Sequence, residues 1–300
     1  MSIIVRIQGG TGNQLFQYAF ARGIASRLGV DYLIDRKVCD NALWDPHKIH
    51  RKYSLDLFNT KIKFAEDNDM CGFIWLRKHH RLFDSFHRLI RGRRLFLPFY
   101  YKEQTFAYNP NVLKRKDNTY YDGYWQTEKY FKHIEDEIRT EITSQKPLSL
   151  QNKAILEEIK KVNAVSLHVR RGDYVTDPVA VVHHGVCSPE YYKKAIAYIE
   201  KNVSNPHFFI FSDDFQWSVE NFKSLKHPIV CVRGNEASDY EDLALIRECK
   251  HHIISNSSFG WWGAWLNPSK NKIVIGPKKW FKGLDKVDIS DIFPSNWIKF

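Results

Sequence analysis

A chain of 300 residues is too long for one typical hydrophobic core, and its formal net charge of +11 points to an anionic partner: nucleic acid, a membrane surface or a phosphorylated small molecule. Hydrophobic residues at 43 % and aromatic residues at 15 % exclude a disordered chain. Five scattered cysteines, none in CxxC spacing, exclude a zinc knuckle or disulfide framework, and no uncharged apolar run approaches the roughly 18–20 residues of a membrane span.

The opening apolar run is too short for a signal peptide, so a cytoplasmic protein is expected. Residues 3–8, IIVRIQ, predict a strand, GGTG a turn, and NQLFQYAFARGIASRLG a helix. Leu15, Phe16, Ala19, Phe20, Gly23 and Ile24 fall on one stripe of that helix. Gly29 ends it and VDYLID, 30–35, is a second strand. This is the βαβ opening of a doubly wound sheet. The turn fails both nucleotide-loop patterns, because Leu15 stands where GxGxxG needs glycine and no GK[ST] follows. Gly10 and Gly12 still allow a ligand close to the backbone, with Asn13 and Gln14 at the same opening. Taken alone, a tight turn with an Asn cap is the simpler reading.

Residues 36–150 are rich in charge and aromatics and weakly periodic, and predict mainly helices and loops. Asp67 and Asp69 form a DxD with no preceding strand, poor support for a metal-bound nucleotide. The stretch IWLRKHHRLFDSFHRLIRGRR, 74–94, holds seven Lys/Arg, three His and one acid. It fits a basic helix resting on anionic lipid, a peripheral contact with the inner membrane face. A solvated basic helix packed on the core fits it somewhat better. KPLSLQNK, 146–153, reads as a linker. It divides a first domain, 1–150, from a second, 151–285, with a tail, 286–300, that packs back on the first.

In the second half strands alternate with helices: AVSLHVR (164–170), HFFIFSD (207–213), IVCV (229–232), HIISN (252–256) and KIVIG (272–276). SPEYYKKAIAYIEKN is a helix with Ser188 as N-cap and Pro189 first, and Ser238 with Glu241 forms a capping box for the next. Ligands of such sheets sit at the carboxyl ends of the strands. HVRRGD lies at one such end. Arg170 and Arg171 match phosphate oxygens in their fork geometry, and spacing alone supports a pair of surface arginines beside an aspartate equally. FSDD puts Asp213 and Asp214 at another strand end, where capping the next helix is the simpler role. In NSSFGWWGAWL, Ser257 or Ser258 caps a short helix whose N-terminus suits an anion. Its Trp261, Trp262 and Trp265 are expected in the core rather than as a sugar platform. The histidine pairs at 79/80, 183/184 and 251/252 lack ligand spacing, so no metal is expected. No RNP or KH pattern supports nucleic acid.

Together GGTGNQLFQYAFAR, YYDGYWQTEKYF, HVRRGDY and SNSSFGWWGAWLN resemble glycosyltransferase family 11, the family of bacterial and animal α-1,2-fucosyltransferases. The resemblance implies an α/β, GT-B-like fold of two Rossmann-like domains facing a central cleft. It implies GDP-β-L-fucose as donor and co-substrate, inversion at the anomeric carbon, a galactose-terminated acceptor glycan and no required cofactor or metal. The family's HxRRxD pattern is met by His168, Arg170, Arg171 and Asp173. Arg170 and Asp173 are the catalytic candidates, and Asp173 ranks first as a base. His168, Arg170, Arg171, Asp242, Asn256, Ser257, Ser258, Phe259, Gly10 and Gly12 are expected around the donor. Asn13, Gln14, Trp125 and Gln126 are expected on the acceptor side. Two departures stand out: TGNQ where the family more often shows LGNQ, and Gly260 where serine is common.

Overall fold

The run Ser2–Arg6 (β1) extends because Ile3, Ile4 and Val5 are β-branched and buried on both faces, the pattern of a central parallel strand. The computed structural model describes residues 2–40, 51–69, 99–115, 118–235, 239–283 and 287–300. The basic stretch 74–94 and the Ser238 capping position lie outside the described residues.

The first sheet has the order β2-β1-β4-β3, with β2 at Asp31–Asp35, β3 at Tyr100–Lys102 and β4 at Tyr120–Asp122, and every pairing is parallel. β3 and β4 come from the region expected to be helices and loops. Each is three residues long, too short to carry a period of two that a sequence window detects. Helix α1 (Thr11–Leu28) ends at Gly29, whose φ of 66° closes the cap. It is buried nearly all round rather than on one stripe. Two glutamines make that possible. Gln14 Nε2 donates to the carbonyls of Gly9 and Lys52, and its Oε1 accepts from Ser54 N–H. Gln17 accepts from Gln8 N–H and donates to the Gly123 carbonyl. Short helices α2 (Lys37–Asp40) and α3 (Glu135–Glu141) belong to the same half of the chain. Asp67 of the DxD pairs with Lys37.

The second sheet has the order β10-β9-β8-β5-β6-β7 and is also parallel throughout. Its strands are β5 Asn163–Val169, β6 Pro206–Ser212, β7 Ile229–Cys231, β8 His251–Ile253, β9 Val274–Gly276 and β10 Ile298–Lys299. The helices are α4 Leu150–Lys161, α5 Gly172–Thr176, α6 Pro178–His183, α7 Pro189–Asn202, α8 Phe215–Phe222, α9 Asp239–Glu248 and α10 Ser258–Leu266. Val165, Leu167 and Val169 pack on Tyr192, Ala195 and Ile199 of α7. Ala164 and Phe209 pack on Ile159 of α4 and on Leu245 and Ile246 of α9. Both faces of β5 are therefore covered, and its polar positions are buried as well. Ser166 Oγ meets His252 Nδ1 at 2.8 Å and His168 Nδ1 meets Ser255 Oγ at 2.9 Å. Ser188 caps α7 through its side chain, as its sequence predicts.

The division of the chain differs from the expected one. One compact unit comprises residues 1–56, 60–138 and 290–292, the other 57–59, 139–289 and 293–300. The boundary falls at 138/139, within α3, and Ser149, in the expected linker, accepts from Asn152 N–H and starts α4. Of the tail, 290–292 belongs to the first unit, and Ile298–Lys299 extends the second sheet beside β9.

Candidate functional site

In the second sheet β5 leads to β6 and β7 on one side, while β8 lies on the other. The strand order reverses between β5 and β8, and open parallel sheets bind ligands at the carboxyl ends beside such a reversal. HVRRGD leaves β5 there, SDD leaves the neighbouring β6, and SNSSFG leaves β8.

The two arginines part company at the end of β5. Arg170 Nη2 donates to Asp173 Oδ1 at 2.6 Å, its Nη1 lies 3.0 Å from Asp213 Oδ2, and its guanidinium lies over the Tyr174 ring at 5.5 Å. Burial works against its charge, but Asp213 and then Asp173 outweigh that and hold its pKa above the ordinary value. Arg171 Nε donates to Asp214 Oδ2 at 2.9 Å and its guanidinium packs over Trp217 at 4.5 Å. Arg171 is thus tied to α8, and its backbone N–H donates to Asp213 Oδ1 at 2.7 Å. Asp214 also caps α8 by accepting from Trp217 N–H, the role expected for this pair. Asp213 is not among the expected site residues. Its signal is a carboxylate at a strand end, but its partner lies on the adjacent strand.

Gly172 is required by this arrangement, since a Cβ there would lie 2.5 Å from Asp213 Oδ2. Gly172→Ala is expected to destabilise the fold by about 1–3 kcal/mol, the usual cost of overpacking. Thermal unfolding checks this, and an unchanged midpoint would mean that Asp213 is free to move aside.

His168 is 6 % exposed, and burial, then the charge of Arg170, push its pKa down to about 3. It is a neutral ring at physiological pH. It stands between Ser255 and Phe259, whose ring centroid is 5.9 Å away, and it fills the space where a side chain at Gly260 would begin. A Cβ at 260 would lie 2.7 Å from His168 Nδ1, so a larger residue there would require His168 to shift. Asn256 is consumed internally: its Nδ2 reaches the carbonyls of His184, Gly185 and Trp280, and its Oδ1 accepts from Cys187 Sγ. It clamps the loop that leaves β8. Ser257 holds the N-cap position of α10 without a side-chain cap bond, and Ser258 opens the helix. Trp261, Trp262 and Trp265 are in the core, as expected. Asp242 accepts from Asn235 Nδ2 at 2.6 Å, and Asn235 in turn accepts from Asn152, so this acid belongs to a network over α4 and α9. A mostly apolar pocket of about 310 Å³, lined in part by Leu148, Leu156, Tyr240 and Leu243, has no lining residue from these strand ends.

The first sheet has its own reversal, between β1 and β4. Gly10 is the N-cap residue of α1, with open space where a Cβ would stand, and Gly12 is buried in the first turn. Across the reversal Gln126 Nε2 donates to Asn13 Oδ1 at 2.8 Å, and Arg6 of β1 pairs with Asp122 of β4 at 3.0 Å. Tyr100 OH also donates to Asp122, at 2.8 Å. Two residues expected on the acceptor side have buried side chains: Gln14 is fully buried and bonded to backbone, and Trp125 is 1 % exposed and stacked on Phe20 at 4.0 Å. The sequence places Gly10, Gly12, Asn13 and Gln126 in one first domain, and the structure brings Asn13 and Gln126 together.

The glycosyl transferase family 11 model matches residues 96–300. Among curated proteins, an α-1,2-colitosyltransferase of Escherichia coli is 32 % identical over 100 % of this chain and 99 % of its own length. The O-antigen biosynthesis glycosyltransferase WbnK of Escherichia coli is 32 % identical over 97 % of this chain and 98 % of its own. The galactoside α-(1,2)-fucosyltransferase 1 of Leontocebus fuscicollis is 29 % identical over 46 % of this chain and 40 % of its own. Among solved structures, a mutant of Arabidopsis thaliana FUT1 in complex with GDP superposes with a TM-score of 0.51 at 12 % identity, over 91 % of this chain and 69 % of that one, a likeness of fold. The architecture is accordingly GT-B-like, with two parallel-sheet units of Rossmann type. The chain, with its arginine-bearing strand end and full-length relatives, belongs to glycosyltransferase family 11 and is a glycosyltransferase.

Proposed function

We propose that the protein transfers L-fucose from GDP-β-L-fucose to O2 of a terminal galactoside in a surface glycan or oligosaccharide, with inversion and without a metal. The acceptor oxygen bonds to C1 of fucose, the bond from C1 to the diphosphate oxygen breaks, GDP leaves, and the hydroxyl proton passes to solvent or a base. Charge gathers on the departing diphosphate, and fixed donors aimed at that charge are the largest lever on such a barrier.

The observation that carries this reading is Arg170 at the β5–β8 reversal. Asp173 and Asp213 each take one Nη of a guanidinium that has five N–H donors, which orients the fork and leaves donors for phosphate. Asp173 is assigned to that orienting role rather than to the base, because its Oδ1 is committed to Arg170. The N-terminus of α10, opening at Ser258, supplies backbone N–H groups and the positive end of the helix dipole for the same anion. His168, being neutral, contributes shape and not charge. The first unit, through Asn13 and Gln126, is assigned to the acceptor.

A second donor is favoured by one observation: a full-length relative is a colitosyltransferase. The test is a GDP-release assay with GDP-fucose and GDP-colitose against a panel of β-galactosides, followed by linkage analysis of the product. GDP-fucose with an α-1,2 product is the expected result. Release only from GDP-colitose transfers the reading to that sugar, and another linkage, or loss of activity with EDTA, overturns the corresponding part.

No described helix is long and apolar enough to cross a membrane.

A further inference from the structure

The loops leaving β1 and β4 flank the strand-order reversal of the first sheet and meet through Gln126 and Asn13. The second of these loops has an uncommon backbone. Trp125 adopts φ 57°, the left-handed region that a bulky side chain rarely enters. Such a conformation persists only where its surroundings over-determine it, and it concentrates at functional sites.

One side chain does most of the holding. Glu103, directly after β3, accepts from Tyr124 N–H at Oε2, 2.7 Å, and from Trp125 N–H at Oε1, 3.0 Å. Its own N–H donates to the Asp122 carbonyl at 2.9 Å, so it is fixed to the end of β4. The carboxylate therefore lies beneath the turn with both oxygens engaged. A Cβ at Gly123 would lie 2.5 Å from Glu103 Cβ, so the turn closes over this residue only because position 123 lacks a side chain. On the far side Trp125 stacks on Phe20, and Thr127 N–H donates to the Trp125 carbonyl at 2.8 Å. The next side chain, Gln126, leaves this turn directed at Asn13.

We propose that Glu103 is a positioning residue for the acceptor glycan: its carboxylate holds the 123–126 turn so that the buried Gln126 fixes the half-buried Asn13, whose amide meets sugar hydroxyls. Amides carry both donors and acceptors, as a hydroxyl does, which suits them to a neutral polyol. The inference rests on the acceptor-side reading given above for the first unit.

The ionisation of Glu103 agrees with this role. Burial raises its carboxyl, the two N–H bonds oppose that, and Asp122 adds to it, leaving a pKa of about 7. Tyr101 on β3, Tyr124 in the turn and Tyr130 beyond it are the other ionisable groups that feel its charge. Protonation near neutrality weakens both N–H bonds, since a neutral carboxyl is a poorer acceptor than a carboxylate.

The experiment is steady-state kinetics of wild type, Glu103→Gln and Glu103→Ala with GDP-fucose and a galactoside, together with GDP affinity measured by calorimetry. Glutamine keeps the shape but can offer only one acceptor oxygen. Acceptor KM is expected to rise about tenfold in both variants, the cost of a charged hydrogen bond, with GDP affinity unchanged. Wild-type acceptor KM is expected to rise as pH falls through about 7, a dependence absent from Glu103→Gln. An unchanged acceptor KM, or an equal loss of GDP affinity, overturns the proposal. A second measurement is independent of catalysis: in 15N-Trp-labelled wild type, the Trp125 amide, assigned with Trp125→Phe, is expected to titrate near pH 7. If wild type transfers nothing, the functional reading fails while this signal still reports on Glu103. A Trp125 amide shift that is the same in wild type and in Glu103→Gln overturns the positioning role whatever the donor.

Discussion

Arg170→Lys is expected to lower GDP-fucose turnover by about 100–1,000-fold, the loss of about 3–4 kcal/mol of transition-state stabilisation. Lysine keeps the charge and loses the planar fork. In this protein the fork has a second duty. Nη1 and Nη2 each meet a different carboxylate, Asp213 and Asp173, and an ammonium on a flexible stem cannot hold both while still facing a diphosphate. The fold should survive, because Arg170 is partly exposed and the core beneath it is built from Val165, Leu167 and Val169. Asp173→Asn separates orientation from proton transfer. As an orienting residue it should lower turnover while the pH–rate profile keeps its shape. Loss of the basic limb of that profile would instead make Asp173 the base. Near wild-type turnover in Arg170→Lys, with circular dichroism unchanged, would remove Arg170 from the donor site.

Acid should destabilise the protein well before carboxylates alone would do so. His168 and His252 are buried and neutral. Burial, then Arg170, lowers the first to about 3, and burial, then Lys272 and His251, lowers the second well below its usual value. Groups whose pKa is depressed on folding bind fewer protons folded than unfolded. Their stabilisation is complete above the unfolded value of about 6.5 and drains away as pH falls toward the folded one. Between about pH 6.5 and 4.5 His168 alone should withdraw about 2 kcal/mol, against a typical total of about 5–15 kcal/mol, and His252 acts in the same direction. Glu103 acts in the opposite sense. Its pKa is raised to about 7, so its contribution is present below the ordinary 4.5 and is lost as pH rises between those values. It offsets part of the histidine loss on acidification. Urea unfolding at several pH values measures the sum, and His252→Gln should flatten the curve on the acid side. Stability that is level from about pH 6.5 to 4.5 in a Glu103→Gln background would mean that water reaches these rings.

Much of the second unit is legible in the amino-acid sequence. Its helices carry local signals, such as Ser188 before Pro189, and its strands are apolar runs separated by polar breaks. The family motifs are legible too, since they are contiguous. β3 and β4 are not, because three residues give no period and their pairing depends on partners far along the chain. Trp125 and Gln14 mislead for a related reason. An aromatic or an amide beside a glycine turn has the composition of a binding loop, and only the packing of α1 shows that both are spent on the core.

Local order, the alternation of strand and helix, and the presence of cations at a strand end were determined by the sequence itself, since each depends on residues within a few positions of one another. Tertiary structure alone decided which carboxylates each cation engages. Asp213 and Asp214 lie far along the chain from the arginines they engage, separated by 42 positions for Arg171 and Asp213. Parallel pairing of β5 with β6 brings them adjacent, giving Arg171 to Asp214 and Arg170 to Asp213 beside Asp173. Glu103 and its turn became visible by the same route, because a carboxylate finds its backbone partners across a sheet and not along a chain.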